Sequence, residues 1–533
     1  MSIRWAYLKR VLAGAIFGLY MAHLLYFINP QVDITAGRLA SVTLIYGLTC
    51  GLLFGTILWI FRALRVRVFG RPETYRTHGF GFVVFAAFMS SFIYWMHLQL
   101  LEGYLPVGAM RILSKATNVI TVTAFVLLAL WVFERTADRR ASRALFIAGV
   151  VLIAISSVFL YQRRESYRTE RKEVVVASIG AVAAREPVIV IAIRNLPYDW
   201  IVTMKGEGLL PFLDRATGEG YFTRVEPFRT TTPKALWASL ATGKLPHRHG
   251  VTGRFSYRTP LNRRDPFLLL PYGVGFRVWG LIPPVERISA SLAGGDALPL
   301  WSIFQRLQLP VKVIAWPSIR PAPRRPVNLG DVAQRFNATG AARAPIVEGL
   351  SADQATVADI DGKAALTALA VEGFSTAQRA LHIFRNDLPP RGSVKGDALR
   401  AYAQQLDRLL SEVARAHPDR VLVVCSPSAV VPPALPANIW ALATSELARD
   451  EPGADDGFLL VAGPTAAHRE NPAPAEVIDV VPTVLFAAGL PIGRDMDGRI
   501  LTDAFTDELL RRTSVTAIQT YEAERVVVRR SGM

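Results

Sequence analysis

The chain has 533 residues, of which 51% are hydrophobic and only 19% charged, and its mean hydropathy is +0.28. A soluble protein carries about 25% charged residues, so this composition excludes an ordinary soluble chain and favours one with a membrane part. The formal net charge is +17, from 60 Lys and Arg against 43 Asp and Glu. With no zinc-finger spacing, RNA-binding aromatic motif or long basic run, that charge is assigned to membrane-flanking loops and headgroup contacts, not to nucleic acid.

Five stretches lack Asp, Glu, Lys and Arg and are long enough to span a bilayer: 11–28, 39–61, 79–101, 116–133 and 144–161. Residues 1–162 are therefore expected to form a transmembrane domain of five helices. The first stretch has no small-residue cleavage site after it and is expected to be a retained helix. The loop after the second span holds Arg62, Arg65, Arg67, Arg71 and Arg76 against Glu73. The loop after the fourth holds Arg135, Arg139, Arg140 and Arg143 against Glu134 and Asp138. Positive loops stay inside. The expected location is the plasma (inner) membrane, with a cytoplasmic N-terminus and a C-terminal domain on the periplasmic or extracellular side. His97, near the outer end of the third span, is expected to be a neutral interfacial side chain. Cys50 and Cys425 are too far apart in kind of environment to suggest a disulfide.

A juxtamembrane linker is expected over 163–187, an α/β domain over 188–512 and a tail over 513–533. Nearly continuous apolar runs at 188–193, 311–315, 421–425 and 458–462 predict strands buried on both faces. Helical patterns at 209–217, 234–241, 300–307, 398–416 and 476–489 alternate with them. Such alternation predicts a largely parallel central sheet, with functional residues at the carboxyl ends of its strands.

The segment Thr230-Thr-Thr-Pro-Lys-Ala-Leu-Trp-Ala-Ser-Leu-Ala-Thr-Gly-Lys-Leu-Pro-His-Arg-His-Gly250 carries a Thr-Pro helix start followed by Thr242, Gly243, Pro246, His249 and Gly250. Four further blocks follow in order. They are Leu300-Trp-Ser-Ile-Phe with Val311-Lys-Val-Ile-Ala-Trp; Pro326-Val-Asn328 with Arg335-Phe336; Asp456-Gly-Phe-Leu-Leu-Val-Ala-Gly-Pro464; and Asp479-Val-Val-Pro-Thr483 with Gly489-Leu-Pro491 and Asp495-Met-Asp-Gly-Arg499. Together they resemble the type I phosphodiesterase/nucleotide pyrophosphatase branch of the alkaline phosphatase superfamily. The resemblance implies that family's α/β fold and, for an active member, two divalent cations (zinc or manganese) held by Asp and His.

At the ligand positions the chain departs from the pattern. The first ligand, an Asp after the first strand, is replaced by Arg194 followed by Asn195. A guanidinium cannot ligate zinc. Ser426 and Pro427 stand where an Asp-His pair belongs. The remaining Asp…His pair is expected within 382–391, where Asp387 has no His at the right spacing. The stretch 451–457 offers no His. Most metal ligands are therefore missing, and no metal is expected.

Thr232 occupies the nucleophile position, with Thr231 as the alternative, and either also suits a helix N-cap before Pro233. His247 and His249 are expected to be structural, and Cys425 an inert buried thiol. Arg194 and Asn195 are candidate ligand-binding residues for a phosphorylated or sulfated group. Together these observations predict a membrane-anchored, catalytically degenerate phosphodiesterase-like protein that binds a ligand or serves as a scaffold in envelope processes. The expected partners are membrane lipid and a membrane protein. The alternative is an active phosphodiesterase or phospho-group transferase acting on a lipid or envelope glycan outside the membrane, in which case both cations return.

Overall fold

A computed structural model of the chain describes residues 3–29, 32, 35–69, 78–101, 105, 107–165, 184, 186–227, 233–252, 255–259, 262–269, 286–289, 292, 297–317, 327–383, 388–427, 429–430 and 454–522. The linker expected over 163–187 lies mostly outside these residues. The chain divides into two compact units. One contains the N-terminal helices together with residues 252–290; the other contains the remaining described residues.

The helical unit holds α1 Ile3–Phe27, α2 Ala36–Phe69, α3 His78–Leu100, α4 Val107–Thr136 and α5 Arg139–Glu165. Each contains a window of 18 to 27 residues long and apolar enough to cross a membrane. Leu44, Phe61, Phe85, Val122, Phe125 and Ile155 stay exposed on these helices, as side chains facing lipid do.

Small residues set how closely α1 and α2 approach. Gly14 on α1 meets Cys50 and Gly51 on α2, Gly18 meets Tyr46 and Gly47, and Gly55 of α2 meets Val11 of α1. A Cβ on Gly14 would lie 2.7 Å from the Cys50 carbonyl oxygen, and one on Gly51 would lie 2.8 Å from that of Val11. Rising numbers on α1 match falling numbers on α2, so the two helices run antiparallel. Without a hydrophobic drive inside lipid, such backbone-to-backbone contact supplies the association. Across the bundle, the Tyr94 hydroxyl of α3 donates to the Tyr20 carbonyl of α1 at 3.4 Å, and the Tyr20 hydroxyl lies 3.2 Å from Ser156 Oγ of α5. His97 is buried, and its Nδ1 bonds the Ile93 carbonyl one turn back at 2.6 Å.

The strands run in chain order as follows. β1 Val188–Ile193 and β2 Tyr221–Glu226 belong to the α/β unit. β3 Phe255–Thr259, β4 Asn262–Phe267 and β5 Glu286–Ser289 make a separate antiparallel sheet, ordered β4-β3-β5, in the helical unit. β6 Val311–Ile314, β7 Leu366–Val371 and β8 Val421–Ser426 return to the α/β unit. β9 Ala429–Val430 and β10 Ala454–Asp455 form a short antiparallel pair. β11 Gly457–Ala462 and β12 Ala475–Glu476 complete the central sheet.

That sheet has seven strands in the order β12-β2-β11-β8-β1-β7-β6. β6, β7, β1 and β8 are mutually parallel, and β11 is antiparallel to both β8 and β2. The α/β class and the mostly parallel sheet are as the sequence predicts. β1 sits centrally, and its alternate residues feed two cores. Val188, Val190 and Ala192 pack under the helices Pro233–Thr242 and Val480–Ala487, while Ile189, Ile191 and Ile193 pack under Val394–Ala416.

The strand preceding the helix Val394–Ala416 is β7, which is followed by the helix Gly373–Ala380. The run Leu366-Thr-Ala-Leu-Ala-Val371 is rich in alanine, which favours helix in isolation. Full burial between β1 and β6 makes it a strand. Residues 513–522, expected to be a tail, continue the α/β unit. Ala517–Ile518 pairs with Ile492–Gly493, and Tyr521 is buried in the core.

The close α1–α2 crossing predicts that Gly14→Leu destabilises the full-length protein in detergent by about 1–3 kcal/mol, the usual cost of overpacking. The check is thermal unfolding beside Gly37→Leu, whose added Cβ meets nothing within 4 Å and which should be silent.

Candidate functional site

β1, β7 and β8 lie side by side and parallel, so their carboxyl ends meet at one edge. Arg194 is the first residue beyond β1. Its backbone N–H donates to the Val371 carbonyl at 3.0 Å, which continues the ladder one step further. Its guanidinium Nη1 donates to Glu372 Oε1 at 2.9 Å, and Glu372 is the first residue beyond β7. Two strands thus end in opposite charges that pair.

Asn195 follows with φ of 60°, in the left-handed region where Asn is tolerated best after Gly. Three hydrogen bonds fix the turn there. Asn195 Nδ2 donates to Ser375 Oγ at 3.0 Å, Gln378 Nε2 donates to the Asn195 carbonyl at 3.0 Å, and the Leu196 N–H donates to Ser426 Oγ at 3.2 Å. Ser426, the last residue of β8, thus holds the β1 turn through its hydroxyl. Arg194 keeps 26% of its side chain exposed and Glu372 keeps 43%, so solvent screens the pair and its contribution to stability is about 1 kcal/mol or less. Arg194 Nε is buried without a hydrogen-bond partner. A guanidinium has five donors, and here at least one lacks an acceptor.

Glu372 and Gly373 rest on a buried acid that no sequence motif singles out. Asp353 is 2% exposed. Tyr402 Oη donates to its Oδ2 at 2.8 Å and the Gly373 N–H donates to its Oδ1 at 3.1 Å. A Cβ at residue 373 would strike Asp353 Oδ2 and the Tyr402 hydroxyl, so glycine is what admits the contact. Burial pushes the Asp353 carboxyl up to about 7, the Glu372 charge adds to the rise, and the two hydrogen bonds oppose it.

Thr231 and Thr232, the expected nucleophile positions, and Asp387 lie outside the described residues. The motif after them is structural. Val251 N–H donates to His249 Nδ1 at 3.1 Å, which leaves the proton on Nε2 to donate to Ser239 Oγ at 2.9 Å. Burial, then the neighbouring His247 and Lys244, drive His249 down to about 3, so it stays neutral. The 242–250 motif and the 495–499 motif clasp each other. Lys244, 4% exposed, pairs with both Asp495 and Glu522. Arg248 Nε pairs with Asp497 Oδ1 at 2.9 Å, and the Leu245 N–H donates to Asp497 Oδ2 at 2.9 Å. Cys425 is a free, buried thiol pushed up to about 12 by burial.

The donors described at this edge do not fit a divalent cation. Arg194 brings a positive charge where a carboxylate would be needed, Glu372 is engaged by that charge, and Ser426 is engaged by Leu196. Among the described residues no group of three or more His, Cys, Asp and Glu could hold a metal.

No family model and no curated protein sequence matches the chain. Among solved structures, it is similar to murine ectonucleotide pyrophosphatase/phosphodiesterase 5, with 13% identity, 60% of this chain and 100% of that chain covered, and a TM-score of 0.37. Phosphonoacetate hydrolase from Sinorhizobium meliloti 1021, in complex with phosphonoformate, gives 11% identity, 60% and 100% coverage and a TM-score of 0.37. A putative sulfatase from Bacteroides thetaiotaomicron gives 11% identity, 60% and 74% coverage and a TM-score of 0.34. At such identities no residue role passes from them to this chain.

The buried Asp353 predicts a pH dependence. Its folded value lies above the roughly 3.9 of an unfolded Asp, so the folded state binds the proton more tightly. The associated stability is present below about pH 4 and is lost as pH rises through about 7. Denaturant unfolding of the full chain between pH 4 and 8 should show that loss, on the order of a few kcal/mol, and Asp353→Asn should flatten it.

Proposed function

We propose that the chain is a membrane-anchored, catalytically degenerate phosphodiesterase-like protein. Its α/β unit faces the periplasmic or extracellular side and binds a phosphorylated or sulfated ligand, or holds a membrane protein partner, in an envelope process. The observation that carries this reading is the Arg194–Glu372 pair at the carboxyl edge of β1 and β7. By the motif resemblance, Arg194 stands where an active member has a metal-binding carboxylate. A guanidinium there supplies a fixed positive charge and planar donors suited to an oxyanion. The turn that carries it is tied to Ser375, Gln378 and Ser426, so the charge is presented from a rigid crest.

The Arg194 side chain orients and neutralises an anion, and Glu372 holds the guanidinium in place until the anion arrives. Because the pair is partly exposed, an anion can compete for the guanidinium without unfolding the edge. Asn195 keeps the turn in its left-handed conformation and so sets where the guanidinium emerges.

The test uses the full chain purified in detergent and supplied with zinc and manganese. Elemental mass spectrometry should find no stoichiometric metal, and a chromogenic phosphodiester should not turn over. Sulfate or phosphate should raise the melting temperature of the wild type. Arg194→Ala should abolish that rise while costing about 1 kcal/mol or less of basal stability. Tightly held metal together with turnover that Thr232→Ala removes would reverse the reading in favour of an active phosphodiesterase or transferase.

A further inference from the structure

Residues 252–290 leave the α/β unit in sequence yet belong to the helical unit. Among the contacts that tie them there is a buried amide. Asn29 lies two residues beyond the apolar span of α1, which ends at Phe27, and it is fully buried. Its Nδ2 donates to the Leu25 carbonyl at 2.8 Å and to the Leu269 carbonyl at 2.7 Å. Its Oδ1 accepts from the Leu268 N–H at 2.8 Å and the Leu269 N–H at 2.9 Å. An amide side chain offers two donors and two lone pairs, and all four are used. Tyr26 and Phe267 add an edge-on ring contact with centroids 6.0 Å apart.

This clamp fixes depth. A span of α1 that crosses a bilayer ends at the headgroup boundary, so Leu268 and Leu269, bonded two residues past that end, sit at the same level. β4 ends at Phe267 and pairs with β3, which pairs with β5. The three-stranded sheet is therefore tethered to that level at the end of β4.

Its composition suits that place. Residues 252–290 contain six arginines, Arg254, Arg258, Arg263, Arg264, Arg277 and Arg287, against two acids, Asp265 and Glu286. Four of the arginines fall on the strands: Arg258 on β3, Arg263 and Arg264 on β4, and Arg287 on β5. Arg258 Nε is buried without a hydrogen-bond partner. Arginines at the boundary pair with lipid phosphates and are drawn to an anionic surface.

We propose that the β4-β3-β5 sheet is a lipid-contacting element that recognises the headgroups of anionic phospholipids. It makes residues of the soluble part of the sequence a reader of the membrane surface, independent of any ligand at Arg194.

The test places a bimane fluorophore on Ser289→Cys in the full chain, reconstituted in vesicles containing headgroup spin-labelled lipid. The native Cys50 and Cys425 are buried and should not label. A second label on Glu412→Cys, exposed on the helix Val394–Ala416, serves as control. Quenching at 289 should exceed that at 412, and should be stronger in phosphatidylglycerol than in phosphatidylcholine vesicles. Replacing Arg258, Arg263, Arg264 and Arg287 with Gln should erase the lipid preference. Asn29→Ala, which keeps those charges, should lower quenching at 289 in both lipids. Equal quenching at 289 and 412 would overturn the placement at the headgroups. Equal quenching in the two lipids, or a preference that survives the Arg→Gln changes, would overturn the recognition of anionic lipid.

Discussion

The left-handed turn at Asn195 is the constraint on which the candidate site depends. Arg194 still bonds to the ladder of β7, and a chain that stayed extended after it would run on past the sheet edge. The turn halts it at the edge, and the turn survives because Ser375, Gln378 and Ser426 each satisfy one of its polar groups. Those three residues come from two elements far along the chain. The pairing of Arg194 with Glu372 follows from this stop, since parallel neighbours that end in register leave their next side chains within reach of each other.

A second layer supports the first. Gly373 lets the Asp353 carboxyl and the Tyr402 hydroxyl approach the backbone beneath Glu372. The cost of burying an acid there is met by its hydrogen bonds and by its readiness to stay protonated. The edge is therefore built from local polar satisfaction more than from hydrophobic burial, which lies in the two cores on either face of the sheet.

How much of this is legible in the sequence depends on what each residue can signal alone. Strands buried on both faces announce themselves as apolar runs, and β1, β8 and β11 are such strands, whereas β6 falls on its apolar run as an edge strand half-buried at three of its four positions. β2 alternates, with Tyr221, Thr223 and Val225 buried and Arg224 and Glu226 exposed, and the alternation is too short to stand out. β7 is hidden by its alanines. With β7 hidden, Glu372 is invisible as a site residue, although Arg194 and Asn195 can be singled out from the end of β1. The glycines of α1 and α2 show their spacing openly, yet within an apolar stretch they read simply as span. The Asn29 clamp links positions 240 residues apart, and no local pattern encodes such a contact.

The ion cluster around Lys244 has a consequence for how the chain is made. Its ammonium is nearly sealed from water and is neutralised by Asp495 and Glu522. A lone buried ammonium is strongly disfavoured, so the 242–250 motif cannot settle in its native surroundings until Asp495 has been delivered, and Glu522 then completes the cluster. β1 likewise waits for β7 and β8 before it has neighbours. During synthesis the α/β unit must therefore persist as an open intermediate until Asp495 emerges, and a chain cut short just before Glu522 would leave Lys244 with one carboxylate partner in place of two.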